Sequence, residues 1–353
     1  MSRADQPSEG NSMQHRVTIR DVAARAGVSA GAVSLALNNR PGVSQETRRR
    51  ITEAARELGW SPNLAARSLA RGPQVHTIGM AISREAVDEG LDALHMALIG
   101  GIEHVLSEQS CSLLLHLTTS REMEVALFKK WWQSGQVNGA VLTGVTADDP
   151  RIEPTHRLGM PVVAVTHPDL SGPFPAVWND EAAAITEAVR YLAVLGHRRI
   201  AHVAGPARLG SALVRSRAFE AVAAELSLDG HRNLPTDLSA HQGARATREL
   251  LGAADRPTAI VYDNDLMAVA GLAAAQETGL RVPEDLSIVA WDDSDLCQIT
   301  RPGLSALSHD PFAFGSEVAR CLLELLATGR AESRVSGTPV LVPRGTTGPP
   351  RRP

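Results

Sequence analysis

The sequence predicts a small all-α helix-turn-helix head joined to a two-lobed α/β core of doubly wound parallel sheets, and three observations carry that prediction. The chain has 353 residues, 43% hydrophobic and 21% charged, so it can bury more than one core. Its charge is divided: residues 16–72 hold ten arginines against four carboxylates, a net of +6, while the formal total is −4. Residues 1–15 contribute −1 and the remainder −9, a basic head on an acidic body of the kind that meets a polyanion. Charge alone fits a merely solvated face equally well. Beyond residue 72, apolar strands alternate with helical segments in two successive series, the pattern of βαβ units and a buried parallel sheet.

The same sequence excludes several classes. No apolar run approaches the roughly 20 residues that cross a bilayer, so no membrane partner is expected. The first fifteen residues are polar and lack the apolar core of a secretory signal. They read as a disordered extension, with Met13 a second candidate start, and the protein is expected in the cytoplasm. Cys111, Cys297 and Cys321 are odd in number and far apart, which argues for buried thiols rather than a disulfide framework or a zinc site. There is no phosphate-binding glycine loop, nucleophile elbow or HExxH, so neither enzymatic activity nor a cofactor or metal is expected. His197 and His202 share GHRRIAH, but the run crosses from a helix end into a strand and need not bring the imidazoles together. Trp131 and Trp132 read as lobe packing or dimer surface.

Three short helices fill the head. Thr18 and Asp21 have the spacing of a capping pair, after which Ile19, Val22, Ala23 and Ala26 recur at helical period until Gly27. Ser29 can cap a second helix with Ala32, Val33, Ala36 and Leu37 inward, ended by the breaker from Asn38 to Gly42. A third opens at Ser44 and runs through Ile51, Ala54, Ala55 and Leu58 to Gly59. Spacing alone fits a generic three-helix bundle as well as a helix-turn-helix domain.

The residues themselves go further. From Val17 to Gly72 the chain carries Thr-x-x-Asp-Val-Ala, then Ala-Gly-Val-Ser at the turn and Val-Ser with Asn-Asn in the second helix. Val-Ser-x-x-Thr and Ser-Pro-Asn-x-x-Ala-x-x-Leu follow. This ordered series resembles the DNA-binding head of the lactose-repressor family of bacterial transcription regulators. The resemblance implies that residues 16–60 form the DNA-binding domain and that 61–74 form a hinge helix and linker. In that family the hinge helix orders on operator DNA and wedges a leucine into the minor groove; here the leucine is Leu69, beside Ala66. Ser61 can cap that helix and Pro62 suits its first turn, and a segment of about nine residues is marginal without a partner. Packing of Leu69 inside its own subunit is the alternative.

By the same resemblance the second helix enters the major groove. Ala30, Gly31 and Leu35 stand where longer polar side chains are common, so hydrogen-bonded readout is thin. Ala30 and Leu35 can touch thymine methyls, with Ser34 and Asn38 supplying polar contacts. Thr18, Ser29, Asn38, Ser44, Thr47, Trp60 and Asn63 match positions that face phosphate or the groove edge, which position without specifying. Thr18, Ser29 and Ser44 are equally explicable as helix caps.

In the body the first series runs HTIGMAI, a helix near Leu91–Leu106, SLLLHL, a helix near Met123–Trp132, GAVLTGV and PVVAVTH. The second begins at Trp178 with a helix over Ala182–Leu195, RIAHVAG and helices over Ser211–Leu226 and Gln242–Leu251. TAIVYD, a helix over Leu266–Gly279 and LSIVAWD complete it, and a helix over Pro311–Leu326 and the strand VLVP close the chain. Two lobes follow, with a site where strand ends meet the cleft between them.

GHRRIAHVAGP, RSRAFEAV, the NDLMAVAG run, GLRVPEDLSIVAWDDS, RPGLSAL and the terminal VPRGTT also resemble that family, whose core is periplasmic-binding-protein-like. The core is therefore expected at 75–353. Its N-terminal lobe takes about 75–177 and 309–337, and its C-terminal lobe about 178–308 and 338–347. Carried over, Arg215 clamps a small effector, Asn264 and Asp292 hydrogen-bond it, and Ser83 contributes from the first strand. Thr166 stands where aspartate is frequent, Leu238 where an aromatic often stacks, and Trp291, usually tyrosine or phenylalanine, can replace the stacking surface. An ordinary interlobe ion pair between Arg215 and Asp292 is the alternative. Arginine, carboxylate and amide together suit a polyhydroxylated ligand, a sugar or sugar phosphate. The expected protein is a homodimeric, effector-controlled repressor on double-stranded operator DNA, the alternative being a cytoplasmic sugar-binding module without specific DNA readout. No leucine heptad follows Gly329, so a tetramerising coiled coil is not expected.

Overall fold

The computed structural model describes residues 18–37, 41–58, 77–83 and 93–351. The chain divides into two compact units, one up to Gln74 and one from Val75. The expectations placed on residues 1–15, on Asn38, Trp60, Asn63, Ala66 and Leu69, and on the segment 61–74 fall outside the described residues.

In the first unit, α1 (Ile19–Ala26), α2 (Ala30–Leu37) and α3 (Gln45–Glu57) each start on a hydroxyl-bearing residue. The Thr18 amide donates to Asp21 Oδ2 at 2.7 Å, as does its hydroxyl, and Ser29 Oγ and Ser44 Oγ accept from the amides of Ala32 and Thr47, both at 3.2 Å. Gly27 ends α1 in the left-handed region at φ +67°. Val22, Val33 and Ile51 are fully buried, surrounded by Ala23, Ala26, Ala36, Ala54 and Ala55, small residues that let the helices approach closely. Two of the basic residues serve as caps: Arg50 donates to the Ala26 carbonyl at 2.6 Å and Arg48 to that of Ala36, cations on helix C-termini.

The second unit holds two six-stranded sheets. In the N-terminal sheet, β1 (Thr77–Ser83), β2 (Ser112–Thr118), β3 (Gly139–Leu142), β4 (Val162–Val165), β5 (Ala176–Asn179) and β11 (Arg334–Gly337) run in the order β11-β5-β4-β3-β1-β2. All its pairings are parallel. In the C-terminal sheet, β6 (Ile200–Ala204), β7 (Arg232–Pro235), β8 (Ala259–Tyr262), β9 (Ser287–Trp291), β10 (Ser305–Ser308) and β12 (Val340–Val342) run in the order β12-β10-β9-β8-β6-β7. Only β12 there pairs antiparallel. The central strands are apolar on both faces and almost wholly buried, as a doubly covered parallel sheet requires. Edge strand β2 departs from that pattern, leaving Leu115 and Leu117 exposed. Strands β5, β7, β10 and β11 were not separated from their loops by sequence pattern; each is only four residues long.

Helices α4 (Ala93–Glu108), α5 (Arg121–Gln133), α6 (Ile152–Arg157) and α12 (Pro311–Thr328) belong to the N-terminal lobe. α7 (Glu181–Val194), α8 (Gly210–Glu225), α9 (Ala240–Leu251), α10 (Asp265–Glu277) and the short α11 (Asp295–Ile299) belong to the other. Trp131 is buried in the N-terminal core with Phe128, and Trp132 packs at its margin. The chain passes between lobes after β5, after β10 and between β11 and β12, and two of these crossings are tied by a hydrogen bond from the Asp180 amide to the Gly337 carbonyl at 2.8 Å. The terminal VPRGTT is integral: Thr346 is fully buried and exchanges bonds with Ile288, its carbonyl accepting from that amide and its hydroxyl donating to that carbonyl.

Candidate functional site

On the head, the face presented by α2 is small. Gly31 and Ser34 are exposed and Leu35 is half-buried, whereas Ala30 packs against the head's own core, so its methyl is largely spent on packing. The Ser44 and Thr47 hydroxyls share a hydrogen bond at 2.8 Å. Arg20, Arg49 and Arg56 are exposed, while Arg25 pairs with Glu57 at 2.6 Å. The exposed face of α2 thus offers little hydrogen-bonding chemistry, and exposed cations elsewhere on the head supply charge.

In the core, a cleft of about 710 Å³ lies where the C-terminal ends of both sheets face each other. That volume suits a small-molecule ligand. Six of the seven residues expected to meet an effector line it: Thr166 after β4, Arg215 on α8, Leu238 after β7, Asn264 after β8, and Trp291 and Asp292 at the end of β9. Of Ser83 only the backbone, at the end of β1, is described. Leu238 and Asp292 have left-handed backbones, at φ +69° and +68°. Such conformations cluster at ligand sites, and for leucine this one is costly. Asn264 holds it there: its side-chain nitrogen donates to the Leu238 carbonyl at 2.9 Å while its oxygen caps α10 by accepting from the Met267 amide at 2.8 Å.

Arg215 is the centre of the C-terminal wall. It is only 5% exposed, its Nε lies 3.2 Å from Asp263 Oδ1, and its guanidinium sits 4.4 Å over the Trp291 ring. Two expectations change here. The Trp291 indole is 3% exposed and stacks on Arg215, so it does not supply an open stacking surface for a ligand. Arg215 and Asp292 are not an interlobe ion pair either, because both belong to the C-terminal lobe and the partner of Arg215 is Asp263. Asp292 Oδ1 instead lies 3.7 Å from Nδ1 of His309, in the crossing after β10.

Sequence reasoning passed over the residues that hold Arg215. His202 Nε2 lies 2.8 Å from Asp263 Oδ1, and the Gly205 amide donates to Asp263 Oδ2 at 2.7 Å. Gly205 follows β6 and Asp263 follows β8, the two strands between which this sheet's order reverses, where α/β ligand sites form. Burial pushes the Asp263 carboxyl up, but Arg215, His202 and the Gly205 amide outweigh it and hold it below the ordinary range. Burial likewise works against the Arg215 charge, and Asp263, Glu181 and Asp292 outweigh it. His197, by contrast, bonds Thr258 and the Gly348 carbonyl, so the two histidines of GHRRIAH do separate structural work.

The N-terminal wall rests on a second buried cluster. Arg151, 2% exposed, donates Nε to Asp149 at 2.9 Å, Nη1 to Glu124, and Nη2 to Asp149 and the carbonyls of Thr143 and Gly144. Arg121 reaches the same Asp149 at 3.1 Å. Burial raises the Asp149 carboxyl, but the Arg151 hydrogen bond and charge dominate and lower it to about 2. Trp178 also faces the cleft, edge-on to His167, and with Phe314 is an aromatic ring not expected there from the sequence. Among the described residues no group of His, Cys, Asp or Glu is arranged to hold a metal ion, and no helix is long and apolar enough to cross a membrane.

Comparison with known proteins agrees with both halves. Residues 18–63 match the lacI family of bacterial regulatory proteins, and residues 189–347 match a periplasmic binding protein-like domain. The chain is 31% identical to the HTH-type transcriptional regulator AglR of Rhizobium meliloti, over 94% of this chain and 95% of that one. Its fold superposes on the lac repressor dimer bound to operator and the anti-inducer ONPF with a TM-score of 0.84, at 27% identity and covering 94% and 99% of the two chains. A complex of the transcriptional regulator CelR with cellobiose matches with a TM-score of 0.70 at 26% identity, covering 94% of this chain and all of that one. With a helix-turn-helix head, two doubly wound lobes and these relatives along nearly its whole length, the chain is a DNA-binding transcriptional regulator of the lacI family.

Proposed function

We propose that this regulator is a repressor whose operator affinity is set by a sugar or sugar derivative bound between the core lobes. The observation that carries the reading is the convergence of Thr166, Arg215, Leu238, Asn264 and Asp292, from both lobes, on one cleft. Two copies would present heads of residues 16–60 to a pseudopalindromic operator, through linkers of residues 61–74 in which Leu69 opens a base step. Exposed Leu115 and Leu117 on edge strand β2 supply apolar surface that a subunit interface covers. An effector need only prefer one lobe arrangement, with coupling of about 1–3 kcal/mol typical of allostery. We read this DNA-binding regulator as cytoplasmic and non-enzymatic, a reading supported by its kinship with transcriptional regulators.

The test is binding of the purified chain to DNA upstream of its own gene against scrambled DNA, at fixed salt and with sugars added singly. Salt is fixed because phosphate contacts alone give affinity. Specific binding relieved by one sugar is the expected result. Equal affinity for both DNAs, with sugars still bound, would favour a sugar-binding module without specific readout. Leu69→Ala should cost far more on operator than on scrambled DNA, and equal losses would sink the wedge.

A further inference from the structure

The charges that line the cleft are unevenly matched. On the C-terminal wall three carboxylates, Glu181, Asp263 and Asp292, face the single guanidinium of Arg215. Arg215 is committed to Asp263 on one side and to the Trp291 ring on the other. On the N-terminal wall the buried Arg151 and the partly exposed Arg121 are offset by Asp149 and Glu124, and Arg151 already donates along its whole guanidinium. Arg208, the remaining arginine of the cleft lining, is exposed to solvent, where its charge is screened. The Glu181 carboxylate forms no hydrogen bond or salt bridge among the described residues, although the residue is partly buried and faces the cleft. Burial and the Asp263 charge raise its carboxyl above the ordinary range against the pull of Arg215.

From this arrangement we infer that Asp263 is a positioning residue that converts Arg215 from an anion site into a neutral hydrogen-bond donor, so that the cleft selects an uncharged or aminated polyhydroxylated effector and excludes phosphorylated and carboxylated ones. The inference rests on the reading of the cleft as the effector site and narrows it. The physical argument is desolvation. An anion entering the cleft gives up its hydration and gains no unmatched buried cation in return, while meeting Glu181 and Asp292. Hydroxyl or ammonium donors meet the carboxylates of Glu181 and Asp292 as acceptors.

The test is tryptophan fluorescence and calorimetric titration of the full-length protein with inorganic phosphate, ribose, ribose 5-phosphate, glucose, glucosamine, glucose 6-phosphate and glucuronate. The wild-type chain should show no saturable response to inorganic phosphate. Each neutral or aminated sugar that binds should do so at least 100-fold more tightly than its phosphorylated or carboxylated counterpart. The double variant Asp263→Asn/Glu181→Gln keeps the side-chain shapes, frees Arg215 of its carboxylate partner and should gain a phosphate response at least tenfold stronger, which Arg215→Ala then removes. Circular dichroism and denaturation midpoints close to wild type establish that each variant is folded. Saturable phosphate binding by the wild-type cleft, or failure of the folded double variant to gain any, would overturn the inference. A flat response to every sugar would instead count against the cleft as a sugar site, with the phosphate titrations still deciding the charge rule.

Discussion

The amide of Gly210 donates to the carbonyl of Val145 at 2.8 Å, joining the N-terminus of α8 in the C-terminal lobe to the loop after β3 in the N-terminal lobe. One step outward the Ala147 amide donates to the Arg208 carbonyl at 2.9 Å, so a short antiparallel bridge closes one mouth of the cleft. A Cβ at position 210 would stand 2.8 Å from the Val145 oxygen, 2.9 Å from Leu170 and 3.0 Å from Thr166 Oγ1. Gly210→Val must therefore part the lobes or tilt α8. Overpacking costs of about 1–3 kcal/mol, borne by the closed arrangement alone, should weaken a cleft ligand by about tenfold or more. Small-angle scattering should give a larger radius of gyration for the variant; unchanged scattering with unchanged affinity would separate this contact from ligand binding.

The cluster under the N-terminal wall should set a limit on acid stability. Asp149 titrates near 2 in the folded chain, below the roughly 3.9 of an unperturbed aspartate. Its contribution is therefore present above pH of about 4 and lost as pH falls through about 2. Linkage puts that contribution at about 2–3 kcal/mol. Asp149→Asn should flatten the pH dependence of urea denaturation between pH of about 4 and about 2.5. Arg151→Met should cost more, about 3–5 kcal/mol at neutral pH, because it strands the Asp149 and Glu124 carboxylates under the wall. A wild-type slope retained in Asp149→Asn would move the acid sensitivity to other carboxylates.

How far the sequence reaches is clear from these sites. The head was legible because capping residues and alanine periodicity are local: Thr18, Ser29 and Ser44 cap helices where spacing placed them. The strands of the core were legible where both faces are buried, as in β6, β8 and β9, and not where a four-residue edge strand such as β7 carries mixed residues. Six cleft residues followed from resemblance, which transmits position but not pairing. Asp263 stands 48 residues from Arg215 in the chain and 61 from His202, so nothing in spacing announces that the three share one buried network. The occupied face of Trp291 was hidden for the same reason, since it depends on where α8 lays a side chain across β9.

Helices α4 and α12 cross at backbone contact. A Cβ on Gly315 would sit 2.0 Å from the Leu98 carbonyl oxygen, and one on Gly101 equally close to that of Phe312. Helix propensity alone would make Gly→Ala favourable here by up to about 1 kcal/mol. The crossing reverses the sign, because the obstacle is backbone and cannot rotate away. Gly315→Ala should destabilise the core by about 3 kcal/mol in chemical denaturation. Because both glycines serve one contact, Gly101→Ala/Gly315→Ala should cost less than the two single losses combined. A stabilised Gly315→Ala would mean that the helices can separate freely.

On the head, sequence readout should depend on apolar contact more than on hydrogen bonds. Leu35 is half-buried beside the exposed Ser34, and Ala30 is turned toward the head's core. A leucine at a groove reads thymine methyls and contributes no charge. Leu35→Ala should therefore lower operator affinity by about tenfold, leave affinity for scrambled DNA nearly unchanged and leave the slope of log K against log salt as it was. Arg49→Ala, removing an exposed cation, should weaken both DNAs alike and reduce that slope by about 1. Anisotropy titrations at three salt concentrations separate the two behaviours. Equal losses on both DNAs for Leu35→Ala would move sequence reading from this leucine to Ser34 or to the linker.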